Sequence, residues 1–298
     1  MNPLPPATAM TTNRGDTAFH TARLATGNSW HDWRRLAAPA LRVTAMLWLV
    51  IAVIGQLLFA IYVTGFYGRA AWHGHPERWD QVLPHGYVAG DTFFNLVLGM
   101  HLLFAVLVTI GGALQLIPGI RRRAPGFHRW CGRAYLLLAA IMSGGGLVML
   151  WIRGGVVGDL SQHLAISLNA LLILAFAGIA WRHARARRLD RHRRWALRLF
   201  LAVNGVWFFR VGLMFWIVAN QGPAGFDPKT FSGPFLTFMA FAQFALPLAV
   251  LELYFRAQER GDPRGQLAMA AGIGVLTLPM TVGIGAAALI MWLPYLHA

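Results

Sequence analysis

Apolar positions along this chain run in long blocks, and polar residues are confined to the gaps between them. Seven blocks lie near residues 43–65, 92–117, 130–152, 162–181, 195–219, 232–255 and 267–295. At a rise of about 1.5 Å per residue, each is long enough as a helix to cross a hydrocarbon core of about 30 Å. The pattern predicts an all-α, polytopic transmembrane bundle over 43–298, preceded by a cytoplasmic tail and interfacial segment over 1–42. Pro247 and Pro279 fall inside the last two blocks. Spanning helices tolerate proline there as a kink when neighbours satisfy the freed carbonyl.

Composition and charge sharpen this picture. The chain is 57% hydrophobic and 12% charged, with a mean hydropathy of +0.51, whereas soluble domains carry about a quarter charged residues. Its net charge of +15 is gathered in alternate gaps: 21 of the 26 lysines and arginines lie in 1–42, 118–133, 182–198 and 256–266. Arg69, Arg78, Arg153 and Lys229 lie on the opposite side, and Arg210 lies inside a block. Under the positive-inside rule this places the N-terminus in the cytoplasm and, with seven spans, the C-terminus in the periplasm of a bacterial inner membrane. The partner of this charge is therefore the lipid bilayer, not nucleic acid.

Residues 1–27 are rich in Pro, Thr and Ala, lack an apolar signal core, and read as a disordered tail. Trp30, Trp33, Arg34 and Arg35 then suit a short helix lying at the interface. Cys131 is the only cysteine, which excludes a disulfide, a thiolate cluster and covalent haem attachment through Cys-x-x-Cys-His. Nucleotide-binding fingerprints, His-Glu-x-x-His and nucleophile elbows are absent from the sequence.

A repeat runs through the second to fifth blocks. An outer histidine is followed by leucine in "GMHLLFAV" at His101 and in "SQHLAISL" at His163, 62 residues apart. An inner histidine is followed by Arg, Trp and a further Arg in "GFHRWCGRAY" at His128 and in "DRHRRWALRLF" at His192, 64 residues apart. Each unit predicts a helical hairpin, and two parallel copies predict a four-helix core. His101 falls about 12 Å below the outer surface and His163 about 5 Å, a gap that boundary error covers. Two bis-histidine pairs, His101 with His163 and His128 with His192, are what one or two b-type haems in a transmembrane electron-transfer protein need. Arg129, Arg133, Arg194 and Arg198 would complement haem propionates, and Arg210 is a further anion ligand. Quinone or a redox protein would be the electron partner.

Two resemblances follow from these residues. The stretch "GGALQLIPGIRRRAPGFHRWCGRAYLLL" followed by "RHRRWALRLFLAVNGVWFFRVGL" resembles the bacterial membrane-protein family catalogued as domain of unknown function 2306, over roughly 95–218. That family name implies no activity. The placing of histidines on four adjacent helices is similar in layout to cytochrome b-561, which implies two haems, although here the inner histidines stand at the membrane surface.

The same residues admit other readings. Arg, His and Trp at a cytoplasmic helix end also form an interfacial anchor, and a neutral His101 could simply bond a neighbouring hydroxyl or carbonyl. Arg210 lies about 14 Å from the outer end of its block. An arginine at mid-bilayer costs about 2.5–3.5 kcal/mol or more, so a partner is expected. Asp91, Asp159, a propionate or a substrate anion are the candidates. Glu252 is expected to pair with Arg256, one turn on. The outer segment with His73, His75, Glu77, Asp80, His85 and Asp91 fits no specific metal signature and reads as a solvated loop. Gly144, Gly145 and Gly146 would allow close helix approach or a flat cofactor. The alternatives to electron transfer are a transporter or small-molecule-binding protein with His101, Arg210 and Asn204 lining a polar cavity, and an accessory membrane protein with no catalytic site.

Overall fold

The computed structural model describes residues 14–83, 86–152 and 158–297. Its helices are α1 (Arg14–Val63), α2 (Arg69–Trp72), α3 (Thr92–Leu116), α4 (Pro118–Arg123), α5 (Pro125–Ile152), α6 (Leu160–Arg185), α7 (Leu189–Val203), α8 (Gly205–Ala219), α9 (Pro234–Arg260), α10 (Pro263–Ala286) and α11 (Leu293–His297). No strand occurs among the described residues. Six helices are long and apolar enough to cross a membrane, or seven if α7 and α8, bent by 51°, form one span. The all-α bundle expected from hydropathy is therefore present.

Two boundaries differ from expectation. Helix α1 runs back to Arg14, so the part of the expected tail and interfacial segment that lies within the described residues continues the first span's helix. From Arg34 to Arg42 every residue but Pro39 is alanine, leucine or arginine, all strong helix formers. The last two spans run as unbroken helix through Pro247 and Pro279, as expected. The fifth block instead bends sharply at Asn204, where no proline stands. Asn204 N–H bonds Phe200 O at 3.3 Å and Phe208 N–H bonds Asn204 O at 3.0 Å, and the ladder breaks between them. Side chains take over: Asn204 Nδ2 donates to Phe200 O and Asn169 Nδ2, from α6, donates to Ala202 O. Buried amide side chains can thus satisfy carbonyls that the helix has released.

The bend splits the fold into two packed groups. Below it, Val108 of α3, Tyr135 and Ala139 of α5, Ile173 and Ala177 of α6, and Leu199 and Ala202 of α7 form one apolar cluster. This is the expected four-helix core, present over the first half of the fifth block only. Beyond Asn204 the chain leaves it, and α8 packs along α10, which itself lies along α1. Trp207, Val211 and Met214 of α8 join Tyr62, Met280, Ile284 and Trp292 in the largest core cluster. Helix α9 touches α6, α7 and α8 and bridges the groups. Leu96, Leu103 and Leu107 of α3 and Leu137 and Ile141 of α5 remain exposed, the outward apolar face that a bilayer solvates.

Two π-helical segments interrupt the helices: Thr64–Gly68 after α1 packs against α3 and α11, and Ala287–Trp292 after α10 lies against α1 and α8. A π turn inserts an extra residue per turn and rotates the side chains beyond it, and such segments often mark functional sites. Part of the outer segment after α1 is folded against this end: Trp79 is buried and its Nε1–H donates to Tyr67 O at 3.1 Å.

Candidate functional site

At the basic end, the repeat brings its inner histidines together. His128 and His192 stand in the first turns of α5 and α7 and lie close enough for His192 to act on the charge of His128. His192 Nδ1 is 2.9 Å from Ala180 O. A carbonyl only accepts, so Nδ1 carries a proton in this bond, and Nε2 is the ring nitrogen left for another partner. The Nδ1 of His128 is buried without a partner, while Gln115 of α3 donates to its backbone carbonyl at 3.2 Å.

The flanking arginines divide. Arg129 and Arg133 are exposed, with Arg133 stacked on Trp130 at 5.2 Å. Arg194 pairs with Glu259, and Arg198 holds Glu252 through two bonds of 2.7 and 2.9 Å while lying over Trp195. Glu252 therefore pairs with Arg198 of another helix rather than with Arg256. The bidentate fork is the stronger arrangement. Two of the four arginines expected to meet propionates thus already hold carboxylates, and they clamp α7 to α9.

The outer histidines are engaged separately. His163 packs edge-on against Trp151, with ring centroids 6.2 Å apart, and its Nε2 is buried without a partner. His101 lies beside Gly146, 3.9 Å from where a Cβ there would stand, and within the field of Arg210. No contact joins His101 to His163 among the described residues. The 64-residue repeat offset carries Gly146 onto Arg210, so His101 sits between two equivalent positions of the duplicated hairpins.

Arg210 has no carboxylate partner among the described residues. Asp91 and Asp159, its expected partners, instead cap helices: Asp91 accepts from Phe94 N–H and Asp159 from Gln162 N–H. The Ser161 hydroxyl and that backbone N–H hold the Asp159 carboxyl below the usual carboxylate range. Asn204, expected to share a cavity with Arg210, is committed to the bend. The guanidinium lies over the Phe59 ring at 5.4 Å, its contact to Val206 O is 3.5 Å, and Tyr62 and Tyr67 lie within its field. An arginine with so few partners in an apolar surround retains most of its capacity to bind an anion.

Other groups on the same side of the fold are also unpaired. Among the buried side-chain atoms without a hydrogen-bond partner are Gln56 Nε2 and Oε1, Trp207 Nε1 and Trp292 Nε1. Gln56 adjoins Gly55, where an added Cβ would stand 2.8 Å from Trp207 Cζ2; Tyr62 and Trp292 stack at 6.4 Å, and Phe59 meets Trp292 at 5.5 Å. Tyr62, Trp207 and Trp292 belong to one cluster along α1, α8 and the second π segment, and Arg210 borders it at Phe59. Sequence reading missed Tyr62, Tyr67, Trp207 and Trp292, because aromatic residues in apolar blocks look like packing. Gln56, an amide in the midst of "VIGQLLFA", was a legible signal.

No group of three or more His, Cys, Asp or Glu side chains that could hold a metal ion occurs among the described residues. In the outer segment His75 pairs with Glu77 at 3.0 Å; His85 lies outside the described residues. Gly144 and Gly145 face open space rather than a close helix contact. Two surface grooves, at Leu57, Ile61 and Val106 and at Phe238, Phe241 and Leu246, are apolar and contain none of these site residues.

Against known families, residues 98–246, half of the chain, match the family described as predicted membrane protein (DUF2306). No curated protein and no solved structure matches.

Proposed function

The chain belongs to the DUF2306 family of predicted membrane proteins, whose description assigns no chemistry, and we propose that this member binds a small amphipathic organic anion at the Arg210 cluster. One observation carries the reading: Arg210, without a carboxylate partner among the described residues, borders at Phe59 a cluster in which the indole N–H groups of Trp207 and Trp292 are buried without an acceptor. A ligand that supplies acceptors, such as a carboxylate or phenolate head, completes that set. Phe59, Tyr62 and Trp292 offer a planar apolar wall for its body. Phe59 and Tyr62 come from α1 and Trp292 from the second π segment, which lies against α8. Transport of the anion or its sensing are the functions such a site serves in a membrane. The test is the melting temperature of detergent-purified protein with benzoate against benzamide, its neutral isostere. Benzoate raises it saturably and benzamide does not; equal responses refute the reading.

A second reading rests on the inner histidines. His128 and His192, the latter with Nδ1 fixed by Ala180 O, would hold one b-type haem, the haem supplying one-electron transfer when bound. Arg129 and Arg133 are the arginines left for its propionates. The expected result is a reduced-minus-oxidised spectrum with sharp low-spin bands from haem-replete cells, lost in His192→Ala. Colourless, folded protein from such cells leaves His128 and His192 as interfacial anchors.

We also propose that the basic end, where Arg42, Arg193, Arg194 and Arg198 gather near Tyr254, Glu259 and Glu252, faces the cytoplasm of the inner membrane. A reporter inserted after Arg187 is then cytoplasmic and one at the C-terminus periplasmic. A cytoplasmic C-terminal reporter would mean that α7 and α8 turn back instead of crossing.

A further inference from the structure

We propose that the gap between the two inner histidines, His128 and His192, is a binding site for the phosphate of an anionic lipid headgroup. The sequence supplies the charge: residues 118–133 and 182–198 hold five and eight arginines against one carboxylate, Asp190. Basic helix ends are common on one side of a membrane protein. What marks this gap is that its charge is left uncompensated.

Helix α7 divides the arginines. Arg194 and Arg198 turn to α9, where Glu259 and Glu252 neutralise them. His192 turns instead to α6, its Nδ1 held by Ala180 O at 2.9 Å, and Trp195 meets Phe176 of α6 with ring centroids 5.5 Å apart. On that side His128 lies in the field of Arg121 and His192, and His183 in the field of Arg182, Arg188, Arg191 and His192. The groups acting on this row of histidines are all basic. Arg121, Arg182, Arg188 and Arg191 are exposed, and neither they nor Asp190 form an ion pair among the described residues.

Local structure holds these residues in place without engaging their charged ends. The turn between α6 and α7 is closed by backbone alone: Ala186 N–H bonds Arg182 O at 3.0 Å, Arg187 N–H bonds Ala184 O at 3.1 Å, and Arg188 N–H bonds His183 O at 3.0 Å. On the facing hairpin, α4 packs against α3 and α5, and Gln115 donates to His128 O at 3.2 Å. His128 Nδ1, buried without a partner, can donate to an anionic oxygen. A phosphate in the gap relieves the repulsion among these cations and accepts charge-assisted bonds for which the arginine fork is shaped.

The surroundings favour a lipid as the source of that phosphate. Phe127, Trp130, Trp181 and Leu189 are exposed beside the arginines, where the apolar blocks give way to charge. Acyl chains cover these side chains while the headgroup meets the basic row. The site is independent of the Arg210 reading and claims the histidines of the haem reading, so only one of those two occupants can hold.

The test is thermal unfolding of the delipidated full chain in a neutral detergent with added phosphatidylglycerol, phosphatidylcholine or inorganic phosphate. Phosphatidylglycerol raises the melting temperature saturably. Phosphatidylcholine, whose charge is compensated within its headgroup, and inorganic phosphate, which has no acyl chains, do not. Arg121→Gln and Arg191→Gln each raise the half-saturating phosphatidylglycerol concentration by about fivefold. Arg264→Gln, at an exposed arginine of the basic end on α10, leaves it unchanged. All three side chains lie outside the ion pairs, so these variants fold as the parent does. No response to phosphatidylglycerol, an equal response to either other compound, an equal shift in Arg264→Gln, or a haem absorption band in the purified protein overturns the proposal.

Discussion

Replacing Arg210 by leucine abolishes the benzoate-dependent rise in melting temperature and leaves the ligand-free protein at least as stable as the parent. The second half of this result follows from the missing partner. An arginine at membrane depth costs about 2.5–3.5 kcal/mol or more, and Arg210 recovers little of it: a ring face, a contact of 3.5 Å to Val206 O and no carboxylate among the described residues. Leucine removes the cost and keeps the apolar volume. The first half follows from linkage, since a ligand at a hundred times its dissociation constant stabilises by about 2.7 kcal/mol. For a chain of this size that is a shift of several degrees, at about 2–4 °C per kcal/mol. Arg210→Lys keeps the charge but loses the planar fork, and retains only part of the response. The measurement is a melting curve of each variant with and without benzoate. An Arg210→Leu protein that melts well below the parent without ligand would show that the guanidinium has a structural partner, and the anion site would fall with that result.

Gly283→Ala destabilises the protein severely, while Gly285→Ala, two residues further along α10, does not. At Gly283 the helices α8 and α10 touch through their backbones: an added Cβ would stand 2.2 Å from Val211 O and 2.9 Å from Val211 Cγ1. Backbone cannot rotate aside as a side chain can, so the helices must separate along the seam that carries Trp207, Val211 and Ile284. Overpacking of this kind costs about 1–3 kcal/mol, and close approach through small residues is a main source of helix association where lipid replaces water. At Gly285 nothing lies within 4 Å of the added carbon, and alanine's higher helix propensity makes that change neutral or favourable. Melting temperature in detergent separates the two. Equal effects would mean that α8 and α10 do not pack in this register.

Hydropathy alone fixed the long helices, because an apolar block of twenty or so residues has one low-energy solution in a bilayer: a helix that satisfies its own backbone. The charge census was equally local. Arg42, Arg193, Arg194 and Arg198 were assigned to one side by counting, and they do gather at one end. The duplicated hairpin was legible as repeated text at His101, His128, His163 and His192, and its four-helix core exists as far as Ala202.

What the sequence could not contain is which surfaces meet. No proline announces the break at Asn204; only the assembled fold brings Asn169 against Ala202 O and makes the released carbonyl affordable. The partner of Glu252 proved to be Arg198, 54 residues away, rather than Arg256, four away. Arg210 read as a residue in need of a carboxylate; the fold uses Asp91 and Asp159 as helix caps instead. It places Arg210 over Phe59 and within the field of Tyr62 and Tyr67, beside a cluster that takes Trp207 and Trp292 from far along the chain. Span, side and repeat depend on the local free energy of transferring residues from water to lipid, and each can be summed along the chain. The choice of partner for a buried polar group depends on distances between helices far apart in sequence, and those exist only once the helices have packed.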